Sequence, residues 1–327
     1  MNISRRSFLH SSSALAVGAA WLSSLPLRAI QSRSQFKVAV ISDEITQDFD
    51  HACSVIANDF GLHWVELRGM WGKNLQNLSD DEIDRARGIL SKYKLRVTDI
   101  GSPLFKTDWP DAPRSSFGPQ RADQFDAFKA DFTFKQQQEV LERSIALARK
   151  FDTTIVRCFD FYRLEDVKPH RAAINAKLKE AANVCSKNKV LLVLENEFEC
   201  NTATGREAAA TLAAVQSPHF KLNWDPGNAV RAGELDAFPA AWDLLPKHRI
   251  GHCHVKNAAK RPDGKVGWSP VATGYIDWIA QFRALTETGY RGAVSLETHW
   301  SGGGTHEQST RISWAGMKEA LQKTGNL

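Results

Sequence analysis

From Gln35 onward, short apolar runs with β character alternate with longer segments of helical periodicity. The β-like runs are Phe36–Ser42, His63–Arg68, Arg96–Gly101, Thr154–Phe159, Val190–Glu195, Phe220–Trp224, Arg249–Val255 and Ala293–Thr298. Between and after them, helices are predicted over Phe49–Phe60, Asp80–Tyr93, Phe134–Lys150, Arg171–Lys187, Arg206–Val215, Leu235–Leu245, Tyr275–Thr288 and His306–Lys323. Ser79 with Glu82, and Thr204 with Glu207, have the spacing of capping boxes at two of the helix starts. Strands that alternate with helices pair in parallel through right-handed crossovers. Eight such units predict an α/β fold, a single closed (βα)8 TIM barrel, rather than an open doubly wound sheet.

Two post-strand segments are long, Ser102–Asp131 and Lys256–Gly274. They fall on the C-terminal face of the strands, where such barrels build their sites, and are expected to form a lid or a specificity wall. Trp71, Phe105, Trp109 and Trp268 sit on post-strand loops, either as stacking platforms for a sugar ring or as loop anchors.

The N-terminus has a different pattern. Ser4-Arg5-Arg6-Ser7-Phe8-Leu9 resembles a twin-arginine export signal, and a modest apolar stretch runs from Ala14 to Leu25. Residues 1–34 are read as signal and linker and residues 35–327 as the barrel, with a periplasmic or otherwise exported destination. No stable membrane insertion is expected after processing. Leu27-Arg28-Ala29 lacks a small residue at the −3 position, so a retained anchor stays open. The net charge is +5, and Arg5, Arg6 and Arg28 supply three of it, so the remainder is near neutral. That balance gives no case for nucleic acid as a partner. The five cysteines are widely and irregularly spaced, which argues against a disulfide framework, and Cys53, Cys158 and Cys185 fit core positions.

Candidate chemistry gathers at the ends of the last four strands. Glu195 ends the fifth, Asp225 follows the sixth, His254 lies in the seventh and Glu297 ends the eighth. His252 and His254 share one face of their strand. Any one of these has an ordinary structural explanation; Asp225 before Pro226 could be a helix N-cap or an Asx turn. Three carboxylates crowded at one barrel mouth would repel unless a cation held them. Mixed O and N ligation without thiolate suits one divalent ion, with Mn2+, Mg2+ or Co2+ ahead of Zn2+. Glu66 and Arg68 end the second strand and would meet sugar hydroxyls or pair with each other across the rim. Lys256 is either a contact to a substrate oxygen or a solvated loop lysine. Ser301-Gly302-Gly303-Gly304 offers backbone N–H groups to a phosphate, or is a flexible loop.

Leu194-Glu195-Asn196, Asn223-Trp224-Asp225-Pro226-Gly227-Asn228, His252-Cys253-His254-Val255-Lys256 and Leu296-Glu297-Thr298-His299 resemble the motifs of the xylose-isomerase-like barrel superfamily, in particular its sugar phosphate isomerase/epimerase branch. The resemblance implies that Glu195, Asp225, His254 and Glu297 are metal ligands. It also implies that Glu195 and Glu297 are the acid/base pair of a carbohydrate isomerase or epimerase, working through an enediolate. Asn228, His252, Lys256 and His299, with Glu66 and Arg68, are the expected substrate contacts. The chain departs from the branch at Asn228, where epimerases often have histidine, and at Asn257, where Lys-Asp is usual; both leave the sugar open. A 3-keto-glycoside lyase or hydrolase using the same proton abstraction is the alternative. A non-catalytic sugar-binding barrel is a further one, and homo-oligomerisation stays open. An abasic-site endonuclease would need more histidines than these strands provide.

Overall fold

The computed structural model describes residues 34–117 and 132–327. The export motif at Ser4–Leu9, its apolar stretch and part of the Ser102–Asp131 segment lie outside the described residues. Eight parallel strands form the barrel: β1 Lys37–Val40, β2 Trp64–Leu67, β3 Arg96–Leu104, β4 Ile155–Cys158, β5 Leu191–Glu195, β6 Phe220–Trp224, β7 Ile250–Val255 and β8 Ala293–Leu296. They pair in the order β1-β8-β7-β6-β5-β4-β3-β2, and a parallel bridge between Ile41 and Glu66 brings the two edges together.

The alternation of side chains explains why β7 is buried on both faces. Cys253 and Val255 pack outward into the hydrophobic core, while His252 and His254 point into the barrel. Register then sets the inner layers: Glu195 is level with Asn223, Asn223 with His252, and His254 with Ser295. The β2–β3 register shifts between Val65 and Leu67, at Glu66, a local re-aiming of the kind found beside functional sites.

Helices Asp80–Tyr93, Arg171–Lys187 and His306–Lys323 have the limits their periodicity predicts, and both capping boxes form. One predicted helix needs correction, and two elements add to the expected set. The long segment after β7 carries an antiparallel hairpin, Asn257–Lys260 paired with Val266–Ser269. The helix expected over Leu235–Leu245 is broken: Phe238 is extended (φ −143°, ψ 126°) before a short turn at Trp242–Leu244. The helix-cap reading of Asp225 before Pro226 is the one realised: a short helix, Pro226–Arg231, follows β6 directly, with proline in its first turn, where the missing N–H costs nothing. All five cysteines are buried and unpaired. Among the described residues no helix is long and apolar enough to cross a membrane.

Candidate metal centre and active site

Asp225 shows how local structure makes the site. Its Oδ1 accepts from Asn228 N at 2.8 Å and caps the Pro226–Arg231 helix, while its Oδ2 turns into the barrel mouth. Cap and candidate ligand are therefore two oxygens of one carboxylate. Asn196 fixes the same residue from the other side, accepting from Asp225 N (2.8 Å) and donating to Asp225 O (2.7 Å).

Glu195, Asp225, His254 and Glu297 each offer a ligand atom, and these atoms all lie within 4.8 Å of one another. His254 Nδ1 is 3.2 Å from Glu195 Oε1, 3.6 Å from Asp225 Oδ2 and 3.1 Å from Glu297 Oε2. All four residues are buried. Lys256 reaches the same oxygens: its Nζ is 2.5 Å from Glu297 Oε2, 2.9 Å from Asp225 Oδ2 and 4.0 Å from Glu195 Oε1. The aromatic face of Trp268, on the hairpin, lies 4.9 Å from that ammonium.

Two arginines hold the outer oxygens of the two glutamates. Arg157 Nη1 donates to Glu195 Oε2 (3.0 Å), and its other nitrogens donate to Gly101 O and Ser102 O. Arg68 Nη1 donates to Glu297 Oε1 (2.8 Å), with Nε on Asp43 and Nη2 on Glu44. Arg68, expected to meet sugar, thus has its donors committed to three carboxylates. Asn228 Nδ2 donates to Glu195 Oε1 at 3.1 Å. His299 lies between Glu44 and Glu297 and faces Trp268 at 5.4 Å between ring centroids.

Glu66 and His252, expected as substrate contacts, lie on the far side of His254. Glu66 Oε1 is 3.1 Å from His254 Nε2, and His252 Nε2 is 3.0 Å from Asp99 Oδ1. Both are fully buried, as are Asp225 and His254. Glu66 fixes which imidazole nitrogen turns toward the carboxylate cluster. Trp109 packs edge-on against Phe134 and Phe161, Phe105 against Phe161, and Trp71 edge-on against Phe49, all as loop anchors. In the glycine run, Gly303 N already donates to Ser309 Oγ.

Sequence reasoning missed Arg157, Asp99, Asp43 and Glu44. The signal for Arg157 was available: it is the one charge inside the apolar run Ile155-Val156-Arg157-Cys158. Its partner is 38 residues away, beyond the reach of local patterns.

The electrostatics follow from this crowding. Burial alone would raise Glu195, but the His254 imidazole and the Arg157 guanidinium outweigh it and hold the carboxyl at about 2. Glu66 is likewise raised by burial and drawn down to about 2 by His254 and His252. Glu297 sits well below the ordinary carboxylate range, with Lys256 overcoming burial, whereas burial prevails at Asp225 and pushes it up. His254 is held well above the usual imidazole value because Glu66, Glu195 and Glu297 outweigh its desolvation. Among the described residues, Asp43, Glu44, Glu66, Asp99, Glu195, Asp225 and Glu297 face Arg68, Arg157 and Lys256 as fixed cations, a formal excess of four negative charges before the His254 imidazole is counted. Two such charges about 4 Å apart repel by about 4 kcal/mol at an effective dielectric near 20. A divalent ion fits this donor set: three carboxylate oxygens, one imidazole nitrogen and no thiolate.

Fold and site together define a (βα)8 barrel with an acid-and-imidazole centre at the C-terminal ends of β5 to β8. The model of the family described as xylose isomerase-like TIM barrel matches residues 55–320, and the chain belongs to that family. A xylose isomerase-like TIM barrel protein from Mycobacterium smegmatis, solved in complex with magnesium, is 16% identical with TM-score 0.61, covering 90% of this chain and 99% of its own. A D-psicose 3-epimerase from Clostridium cellulolyticum H10, solved with D-tagatose, is 17% identical with TM-score 0.61, covering 88% and 98%. A probable 3-DHS dehydratase from Bacillus anthracis is 20% identical with TM-score 0.58, covering 86% and 98%.

Proposed function

We propose that the protein is a divalent-metal-dependent sugar isomerase or epimerase, with residues 1–34 as a twin-arginine export segment and 35–327 as the catalytic barrel. The observation that carries this reading is the convergence of Glu195, Asp225, His254 and Glu297 within 4.8 Å, with each glutamate braced by an arginine. Those four residues hold the ion, with Mn2+, Mg2+ or Co2+ ahead of Zn2+. When bound, the ion supplies Lewis acidity that polarises a carbonyl and its neighbouring hydroxyl.

The chain's own residues do the proton work. Arg157 and Arg68 keep Glu195 and Glu297 ionised and fix their free oxygens toward the sugar carbon. One glutamate takes the proton beside the carbonyl, giving the enediolate of the sugar. For epimerisation the other, once it has taken up a proton from solvent, delivers that proton to the opposite face; for aldose–ketose isomerisation the first glutamate gives the abstracted proton to the adjacent carbon. Asn228, Lys256 and His299 line the substrate side. Arg68, Glu66 and His252 act through Glu297 and His254. Likeness to a D-psicose 3-epimerase supports a ketose as substrate.

Incubation of the Mn2+-loaded protein with a panel of free ketoses and aldoses in D2O tests the reading. Deuterium beside the carbonyl, with carbon skeleton and formula otherwise conserved, is the expected result. A panel that stays unlabelled under full metal loading removes it. A second reading, proton abstraction followed by expulsion of the C1 substituent from a 3-keto-glycoside, is favoured by likeness to a probable dehydratase. It would show as a released aglycone.

A further inference from the structure

Lys256 is fully buried, yet it points its ammonium at the oxygens on which the proposed ion depends. Glu297 Oε2, Asp225 Oδ2 and Glu195 Oε1 are the atoms nearest His254 Nδ1, and they are also the atoms nearest Lys256 Nζ. A divalent ion takes such oxygens at about 2.0–2.6 Å. An ammonium 2.5 Å from one of them and 2.9 Å from another stands in that space. The two cations also repel at close range, and burial leaves little water to screen them.

We infer that Lys256 is a built-in competitor for the metal: its ammonium neutralises the carboxylate cluster in the ion-free protein and must withdraw for a divalent ion to bind. The inference rests on the metal-centre reading above and adds to it a role for the lysine that precedes catalysis. Gly227 gives the lysine its place, since a Cβ there would come within 2.7 Å of Lys256 Cγ. We assign the displaced ammonium to Glu197, a buried carboxylate whose charge is among those that favour the charged form of Lys256. Its Oε2 is 3.3 Å from Lys106, while its Oε1 is buried without a hydrogen-bond partner. An unsatisfied buried carboxylate oxygen is costly, and a retreating ammonium would satisfy it. Trp268 already presents a ring face to the charge, 4.9 Å from the ammonium.

The test is the affinity of the whole, chelator-stripped protein for Mn2+, by calorimetry, with turnover not measured. Lys256→Met and Lys256→Gln each remove the charge at similar length, and circular dichroism confirms their fold. Both are expected to bind Mn2+ on the order of tenfold tighter than the parent, within the usual range of coupling between sites. Their ion-free forms should melt earlier than the ion-free parent. Glu197→Gln should weaken Mn2+ binding in the parent and leave it unchanged in the Lys256→Met background. Equal or weaker binding by both lysine variants overturns the inference and leaves the metal centre standing. If parent and variants all fail to bind Mn2+, the metal centre falls and the inference with it.

Discussion

The two halves of the barrel divide the labour unequally. Strands β5 to β8 and their ends carry Glu195, Asp225, His254 and Glu297, the groups that would meet ion and substrate. From β1 to β4 and their ends come Glu66, Arg68 and Arg157, which touch those groups from behind, while Asp99 meets His252. One half presents chemistry, and the other sets its charge state and aim. The family motifs fall on the first half. The second half contributes the braces, and a motif-based reading passes over them.

Substitutions in the presenting half should cost most. Glu297→Gln keeps shape and removes a base, so turnover should fall roughly 10²- to 10⁴-fold, with the fold intact by circular dichroism. Retention of more than a tenth of parental kcat would remove Glu297 from the acid/base pair. In the bracing half, Arg157→Met leaves Glu195 buried without its cation, and such losses cost about 3–5 kcal/mol. Urea denaturation reads this directly, and a loss below about 1 kcal/mol would mean that Glu195 is neutralised some other way. Glu66→Gln should lower metal affinity by roughly 10- to 100-fold through His254, a smaller effect than removing a ligand. Equal affinities would show that the negative charge of Glu66 does not act through His254, whose Nε2 also lies 3.1 Å from Asn223 Nδ2.

Acid should expose the same division more gently. Glu195 and Glu66 are held at about 2 against an ordinary value of 4.5. Groups with depressed values stabilise the fold fully above the unfolded value and lose that contribution as pH falls through the folded one. Melting temperature of the metal-stripped protein should therefore decline between about pH 4.5 and pH 2, and the decline should be shallower in Glu66→Gln. A flat profile across that window would contradict the electrostatics described for both residues.

The presenting half was legible because acids and an imidazole at the ends of apolar strands break the pattern where a barrel puts its site. Glu195 closes Leu191-Leu192-Val193-Leu194, and Glu297 closes Val294-Ser295-Leu296. The braces were legible only in part: Glu66 and Arg68 stood out at the end of β2, but their partners did not, because the pairings are as distant as Arg68 with Glu297, 229 residues apart. Period and composition report which face is buried, not which charge waits inside. The same limit hid the hairpin after β7, whose Gly264 turn at φ +82° reads locally as loop. The helix after Asp225 is too short for periodicity to register, and only the cap reading of Asp225 before Pro226 pointed to it.

That short helix links parts of the molecule that otherwise have no covalent reason to move together. Asp225 is its cap, Asn228 in its first turn reaches Glu195, and Arg231 at its last residue donates to Val266 O on the hairpin that carries Trp268. A sugar that lifts the hairpin on entry would therefore pull on the anchorage of two candidate ligands at once. Under the proposed function, admission of substrate and grip on the ion would share a single lever, and a tighter hairpin would slow traffic and retain metal by the same mechanical act.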